Sequence, residues 1–194
     1  LFKQSECDNS IALIRNILAG NCLGSLWNKL IKTNCVRRFG VVFEKSVNYC
    51  EDELFILRLL SNNIKISYLN KALYHYVIRE GGIVGSRFPS KDSFGQLWKL
   101  IDFEHELVKS LFIEREFINK RVNIKLQMLS SGLFSFDEYQ NKVYCSNLDI
   151  RHSNRSKIKK MMLILANCKI TYRLAVIFAM FKDRIRDLVL FYGV

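Results

Sequence analysis

The stretch Asn48-Tyr49-Cys50-Glu51-Asp52-Glu53-Leu54-Phe55-Ile56-Leu57-Arg58-Leu59-Leu60 sets three acids at the head of an apolar run. Leu54, Leu57 and Leu59 fall among Phe55, Ile56 and Leu60, so the spacing predicts a helix buried around most of its circumference, with Asn62-Asn63 as its stop. Carboxylates in a first turn face the positive end of the helix dipole, which stabilises each by roughly 0.3–1 kcal/mol. Two readings follow. The plain one is a well-formed helix start. The sharper one is a loop-to-helix junction that presents one carboxylate to a cleft as a general base.

On the N-terminal side, Asp8 or Ser10 is placed to cap a helix through Ile11, Leu13, Ile14, Ile17 and Leu18, and Gly20 to stop it. Ser25 is a second capping candidate. The run 26–32 behind it puts Trp27, Leu30 and Ile31 on one helical face, and Gly40 ends the basic turn Arg37-Arg38-Phe39. On the C-terminal side, residues 65–69 alternate as a strand does. Asn70-Lys71 is a turn, and residues 73–79 form a second run of aromatic and β-branched residues. Three glycines between Glu80 and Ser86 mark a flexible loop, and the single proline, Pro89, closes the region.

A boundary near residue 90 therefore divides the chain into 1–90 and a basic helical extension, 91–194. The extension carries apolar stripes at helical spacing: Leu97, Leu100, Ile101, Leu107, Val108, Leu111 and Phe112, then Ile118, Val122, Leu126 and Leu129. Gly132 breaks the run, and Phe136-Asp137-Glu138-Tyr139 starts a short helix. Ile158, Met161, Met162 and Leu165, then Leu174, Ile177, Phe178, Phe181, Ile185 and Leu188, repeat the theme to the end of the chain.

The net charge of +12 is uneven. Residues 145–194 hold ten basic and three acidic groups, so more than half of the excess lies in the last quarter of the chain. The cysteines at 7, 22, 35, 50, 145 and 168 include no Cys-x-x-Cys pair, and His75, His105 and His152 stand apart. This pattern predicts free thiols in a reducing compartment and no metal site built within the chain. The first residues are polar and of mixed charge, unlike a secretory signal. Lys169 and Arg173 interrupt the apolar run 161–181, which excludes a span of about twenty apolar residues there. The expected location is cytoplasmic, with the basic residues 155–194 suited to an anionic membrane surface at the inner face of the cell membrane.

Trp27-Asn28-Lys29-Leu30, Phe43, Tyr49-Cys50-Glu51-Asp52-Glu53-Leu54-Phe55, the run Ile66 to Tyr76 and then Arg79 stand in an order and spacing that is familiar. Together they resemble the second half of the catalytic domain of family 2 glycosyltransferases, in particular the bacterial enzymes of surface polysaccharide synthesis. The resemblance covers residues 26–79, with five short motifs in register. It implies an α/β fragment, the acceptor-side C-terminal part of a GT-A fold over 1–90, followed by the mostly α-helical extension. It also implies inverting transfer of a sugar from a nucleotide-sugar donor to an acceptor hydroxyl on a glycan or lipid-linked acceptor.

By the same resemblance Asp52 is the general base and Glu51 helps to set its position or charge. Trp27 supplies an apolar plate for a sugar face and Asn28 a hydrogen-bonding partner. Tyr74 and Tyr76 line the acceptor cleft or else pack within the fold, and Lys29 and Arg79 meet the donor diphosphate. The family's upstream nucleotide-binding half and its Asp-x-Asp motif are not in the sequence, and the chain begins at Leu1. The chain is therefore expected to be the C-terminal part of a longer enzyme and inactive alone. It is expected to bind no cofactor itself, with a divalent metal (Mg or Mn) in the complete enzyme.

Two other classes compete. One is a non-catalytic basic helical module that binds a membrane surface or a protein partner, in which Glu51 and Asp52 only cap a helix. The other, nucleic-acid binding, finds no recognisable module or clustered basic-aromatic motif, so no nucleic acid is expected as a partner.

Overall fold

A computed structural model of the chain describes residues 9–69, 71–77, 90–111, 114–143, 145–153 and 155–181. The helices in order are α1 (Ser10–Ala19), α2 (Thr33–Phe39), α3 (Glu51–Leu60), α4 (Lys91–Leu111), α5 (Glu114–Ser131), α6 (Phe136–Lys142), α7 (Asn147–His152) and α8 (Lys157–Ala166). Residues 172–181 are also helical. The chain forms two compact units, Leu1–Phe117 and Ile118–Val194, and the boundary falls inside α5.

In the first unit α3 is the central element. Leu54, Phe55, Ile56, Leu57, Leu59 and Leu60 are all buried, which leaves only the acidic first turn and Arg58 toward water. α1 and α4 both pack on it. α1 contributes Ile14, Ile17 and Leu18, and α4 contributes Phe94, Leu97, Leu100, Ile101, Leu107 and Val108, as their spacing dictates. Phe43 stacks on Phe55 with ring centroids 4.5 Å apart. Arg58 reaches the Glu44 carboxylate at 3.2 Å and lies over the Phe103 ring. α1 begins at Asn9, whose side chain accepts from the Ala12 amide at 2.8 Å. Ser10 does not cap; its hydroxyl donates to the Ile64 carbonyl at 2.7 Å, and Asp8 lies outside the described residues. Gly20 and Gly40 close α1 and α2 in left-handed conformations, at φ 78° and 60°.

The α/β expectation is corrected. Among the described residues there is no strand and no sheet, so no α/β fragment of a GT-A fold is present; the sole strand-like pairing is one antiparallel bridge between Asn9 and Lys65. Residues 65–69 and 71–77 run extended without a ladder, and Leu69, Leu73, Tyr74, Tyr76 and Val77 are exposed. Alternation and β-propensity describe a segment that fits a pleated, half-buried surface. They do not create the partner strands that would bury it. The helix expected over 26–32 is also absent. Residues 26–28 form a turn, residues 29–32 have no regular secondary structure, and the helix starts at Thr33. Leu30, expected on an apolar face, is 93% exposed.

In the second unit, Val122, Leu126, Cys145, Ile150 and Leu163 form a buried cluster joined by Ile118 and Ile164. Two short helices owe their starts to capping boxes, Ser135 with Glu138 for α6 and Ser146 with Asp149 for α7. Lys125 is buried in this unit. Its ammonium donates to the Tyr139 carbonyl and lies 3.9 Å from the centre of the Tyr139 ring.

Burial pushes the Lys125 ammonium down to about 8, against the pull of Cys145. Burial pushes the Cys145 thiol up to about 11. A lysine whose folded value lies below its unfolded one near 10.5 binds fewer protons when folded, so stability rises as pH climbs through about 8. The raised thiol works in the opposite sense from about pH 9 to 11. Urea unfolding is therefore expected to show stability increasing from pH 8 to about 9 and rising less steeply above. Lys29 is lowered to a similar value, so the Lys125→Met variant should lack about half of the increase. A wild-type midpoint that falls over the same interval would contradict this assignment.

Candidate functional site

The acidic first turn of α3 faces the loop that follows α1. Cys50 enters the helix in the left-handed conformation at φ 60°, without a side-chain cap of its own. The Asp52 carboxylate turns instead to the loop, and its Oδ2 accepts from the Leu26 backbone N–H at 3.1 Å. Among the described residues Asp52 Oδ1 accepts no hydrogen bond. Beside it Gly24 is buried against Glu53, so close that a Cβ there would stand 2.4 Å from Glu53 Cγ and 2.7 Å from its Cβ. A glycine is required at 24 because the loop backbone approaches the helix to this distance.

Lys29 ties the loop to itself. Its ammonium donates to the Leu23 carbonyl at 2.6 Å, the Ser25 carbonyl at 2.7 Å and Asn28 Oδ1 at 2.8 Å. Those three contacts use all three donors of an ammonium. Burial pushes this group down to about 8, against the pull of Cys22, Glu53 and Asp52. The same contacts explain why 26–32 is not helical: the side chain holds carbonyls 23 and 25 in a tight turn. Ser25, predicted as a cap, instead has its hydroxyl 3.4 Å from Asn28 Oδ1.

One residue beyond Leu26, the Trp27 ring packs on two tyrosines. Its centroid lies 5.3 Å from that of Tyr74, inclined 28°, and 5.2 Å from that of Tyr76, inclined 38°. These separations lie within the range in which aromatic pairs attract. Tyr74 and Tyr76 share one side of their extended run, as residues two apart do. They remain 55% and 44% exposed, so the cluster lies at the surface.

The structure thus brings Trp27, Asn28, Lys29, Asp52, Tyr74 and Tyr76 into one region of the first unit, with half-buried Glu51 at the start of α3. Arg79 lies outside the described residues. Lys29, expected at a diphosphate, has its ammonium engaged within the loop. Sequence reasoning missed Gly24, the Leu26 amide and Glu53. The Gly24-Ser25 pair was the available signal for a tight approach, and nothing in the sequence marks a backbone N–H as a partner of Asp52. A shallow depression of about 460 Å³ lined by Asn9, Ile11, Ala12, Arg15, Asn16 and Asn63 shares none of these residues. Among the described residues no three His, Cys, Asp or Glu side chains converge as metal ligands would.

No family model, no curated protein and no solved structure matches the chain.

Adding a methyl group at position 24 drives it into the Cβ and Cγ of Glu53, not only into the mobile end of that side chain. Gly24→Ala is expected to cost about 1–3 kcal/mol of stability in chemical denaturation. Combining it with Glu53→Ala should recover part of that loss, since Cγ and Cδ are then gone. A Gly24→Ala protein as stable as the wild type would contradict the close packing of the loop on α3.

Proposed function

We propose that Asp52 and the Trp27–Tyr74–Tyr76 cluster form the acceptor side of an inverting glycosyltransferase site, with the nucleotide-sugar donor held by residues outside this set. The supporting observation is the single-residue step between the two parts: Leu26 N–H fixes Asp52, and the next side chain, Trp27, carries the aromatic platform. Exposed aromatic rings offer flat apolar faces that suit the C–H face of a sugar, and a carboxylate pinned through one oxygen keeps its other for the acceptor hydroxyl. The resemblance of residues 26–79 to family 2 enzymes points to the same chemistry. The role is proposed for this residue set and does not depend on a sheet within the chain.

In this mechanism the acceptor hydroxyl donates to Asp52 Oδ1 at ordinary hydrogen-bond reach, about 2.6–3.2 Å. As its oxygen attacks the anomeric carbon, the proton passes to the carboxylate. The bond from that carbon to the diphosphate breaks on the opposite face, and the leaving group departs with the electron pair, inverting the centre. Glu51, next in sequence in the first turn of α3, helps to set the position or charge of the base. Among the described residues no ligand set for a divalent metal is present; a metal that accompanied the donor diphosphate would be held by residues outside this set and would neutralise the diphosphate charge.

Asp52→Asn keeps an oxygen for the Leu26 amide while removing the base. In the complete enzyme it is expected to lower transfer by about 10²–10⁴-fold with acceptor binding retained. Trp27→Ala is expected to weaken acceptor binding instead, read by glycan titration of the chain. Full transfer by the Asp52→Asn enzyme would sink the base assignment. Glycan binding indifferent to Trp27 would sink the platform.

A further inference from the structure

Within the second unit, the helical residues 172–181 are apolar on two opposite sides. Tyr172, Ala175 and Ala179 are buried, three and four residues apart. Tyr172 donates its hydroxyl to the Phe134 carbonyl at 2.9 Å, and its ring packs on those of Phe136 and Tyr139. That side holds the helix to its unit. At 3.6 residues per turn, Leu174, Ile177, Phe178 and Phe181 fall on the other side, where they are 57%, 62%, 62% and 62% exposed. A helix apolar all round is ordinarily enclosed on every side. Here half of it is open. α8 has the same character, with Met162, Leu163 and Ala166 inward and Ile158, Met161 and Leu165 outward. Ile170, between the two, is 89% exposed.

Charge selects what covers these residues. Lys157, Lys169 and Arg173 are exposed, and each is next in sequence to one of the outward apolar residues Ile158, Ile170 and Leu174. Residues 145–194 carry a net charge of +7, from ten basic and three acidic groups. A second copy of the chain would bring like charge against like charge. An anionic bilayer surface matches both features: its acyl boundary takes the leucine, isoleucine and phenylalanine side chains, and its headgroups take the lysines and arginines, whose stems lie along apolar surface. Among the described residues no helix is long and apolar enough to cross a membrane, so contact would be at the surface. We propose that the outward face of 172–181, with the outward stripe of α8, docks on an anionic phospholipid surface.

The full chain is tested by co-sedimentation with phosphatidylcholine vesicles, with and without phosphatidylserine. It is expected to sediment with the anionic vesicles at low ionic strength, and less as salt is raised. The double variant Phe178→Glu/Phe181→Glu changes only exposed positions, so its circular dichroism should match the wild type while its binding falls by about tenfold or more. Lys169→Gln/Arg173→Gln should bind more weakly and with a shallower salt dependence. Asp52→Asn and Trp27→Ala should sediment as the wild type does, so the sugar site and this surface stand or fall separately. The proposal is overturned if nothing sediments at low salt, or if the glutamate variant binds as well as the wild type. It is equally overturned if the variants abolish self-association, or binding to an acidic protein, in a chain that ignores vesicles.

Discussion

One carboxylate connects the helical core of the first unit to its most exposed loop. Asp52 stands at the start of a helix held on nearly all sides by buried leucine, isoleucine and phenylalanine, and it accepts from the Leu26 amide at 3.1 Å. A hydrogen bond to a charged group contributes roughly 1.5–3 kcal/mol net. Fixing each loop residue costs about 1–2 kcal/mol in backbone entropy, so this bond alone cannot order the loop. Three further interactions share the work. Lys29 gathers the carbonyls of Leu23 and Ser25, Gly24 lets the backbone lie against Glu53, and Trp27 packs on Tyr74 and Tyr76. The positions of Trp27 and Asp52 are therefore set together.

Much of the helical framework is legible in the sequence because each stripe has its own stop. α1 ends at Gly20 and α3 begins at the acid triplet. α4 buries the Leu97, Leu100, Ile101, Leu107 and Val108 positions that its periodicity singles out. What misleads is composition without a partner. Residues 73–77 have the β-branched and aromatic content of a strand, yet their tyrosines are engaged by a tryptophan ring and not by a sheet. Residues 26–32 have a helical face on paper. There a lysine side chain bonding back to carbonyls 23 and 25 gives the backbone a competing solution.

The site is legible only in part, for a related reason. The acid triplet suggests a carboxylate base, and the resemblance to family 2 glycosyltransferases singles out Asp52 and adds Trp27, Tyr74 and Tyr76. That Asp52 is tied to the loop that carries Trp27 depends on a backbone amide, which no side-chain pattern encodes. Lys29 illustrates the opposite case: a basic residue suited to a phosphate is instead half-buried as a structural tie. In the second unit the sequence marks Leu174, Ile177, Phe178 and Phe181 as an apolar stripe at helical spacing. The structure turns the smaller stripe, Tyr172, Ala175 and Ala179, inward and leaves the bulky one open. Periodicity finds a stripe; only packing says which of two stripes is enclosed.

The most direct test of the Asp52–Leu26 tie is amide hydrogen exchange at Leu26, compared between the wild type, Asp52→Ala and Asp52→Asn. The tie predicts a protected amide in the wild type, protection lost when alanine removes the acceptor, and protection kept when asparagine supplies one. An amide that exchanges freely in the wild type, or stays protected in Asp52→Ala, would contradict it.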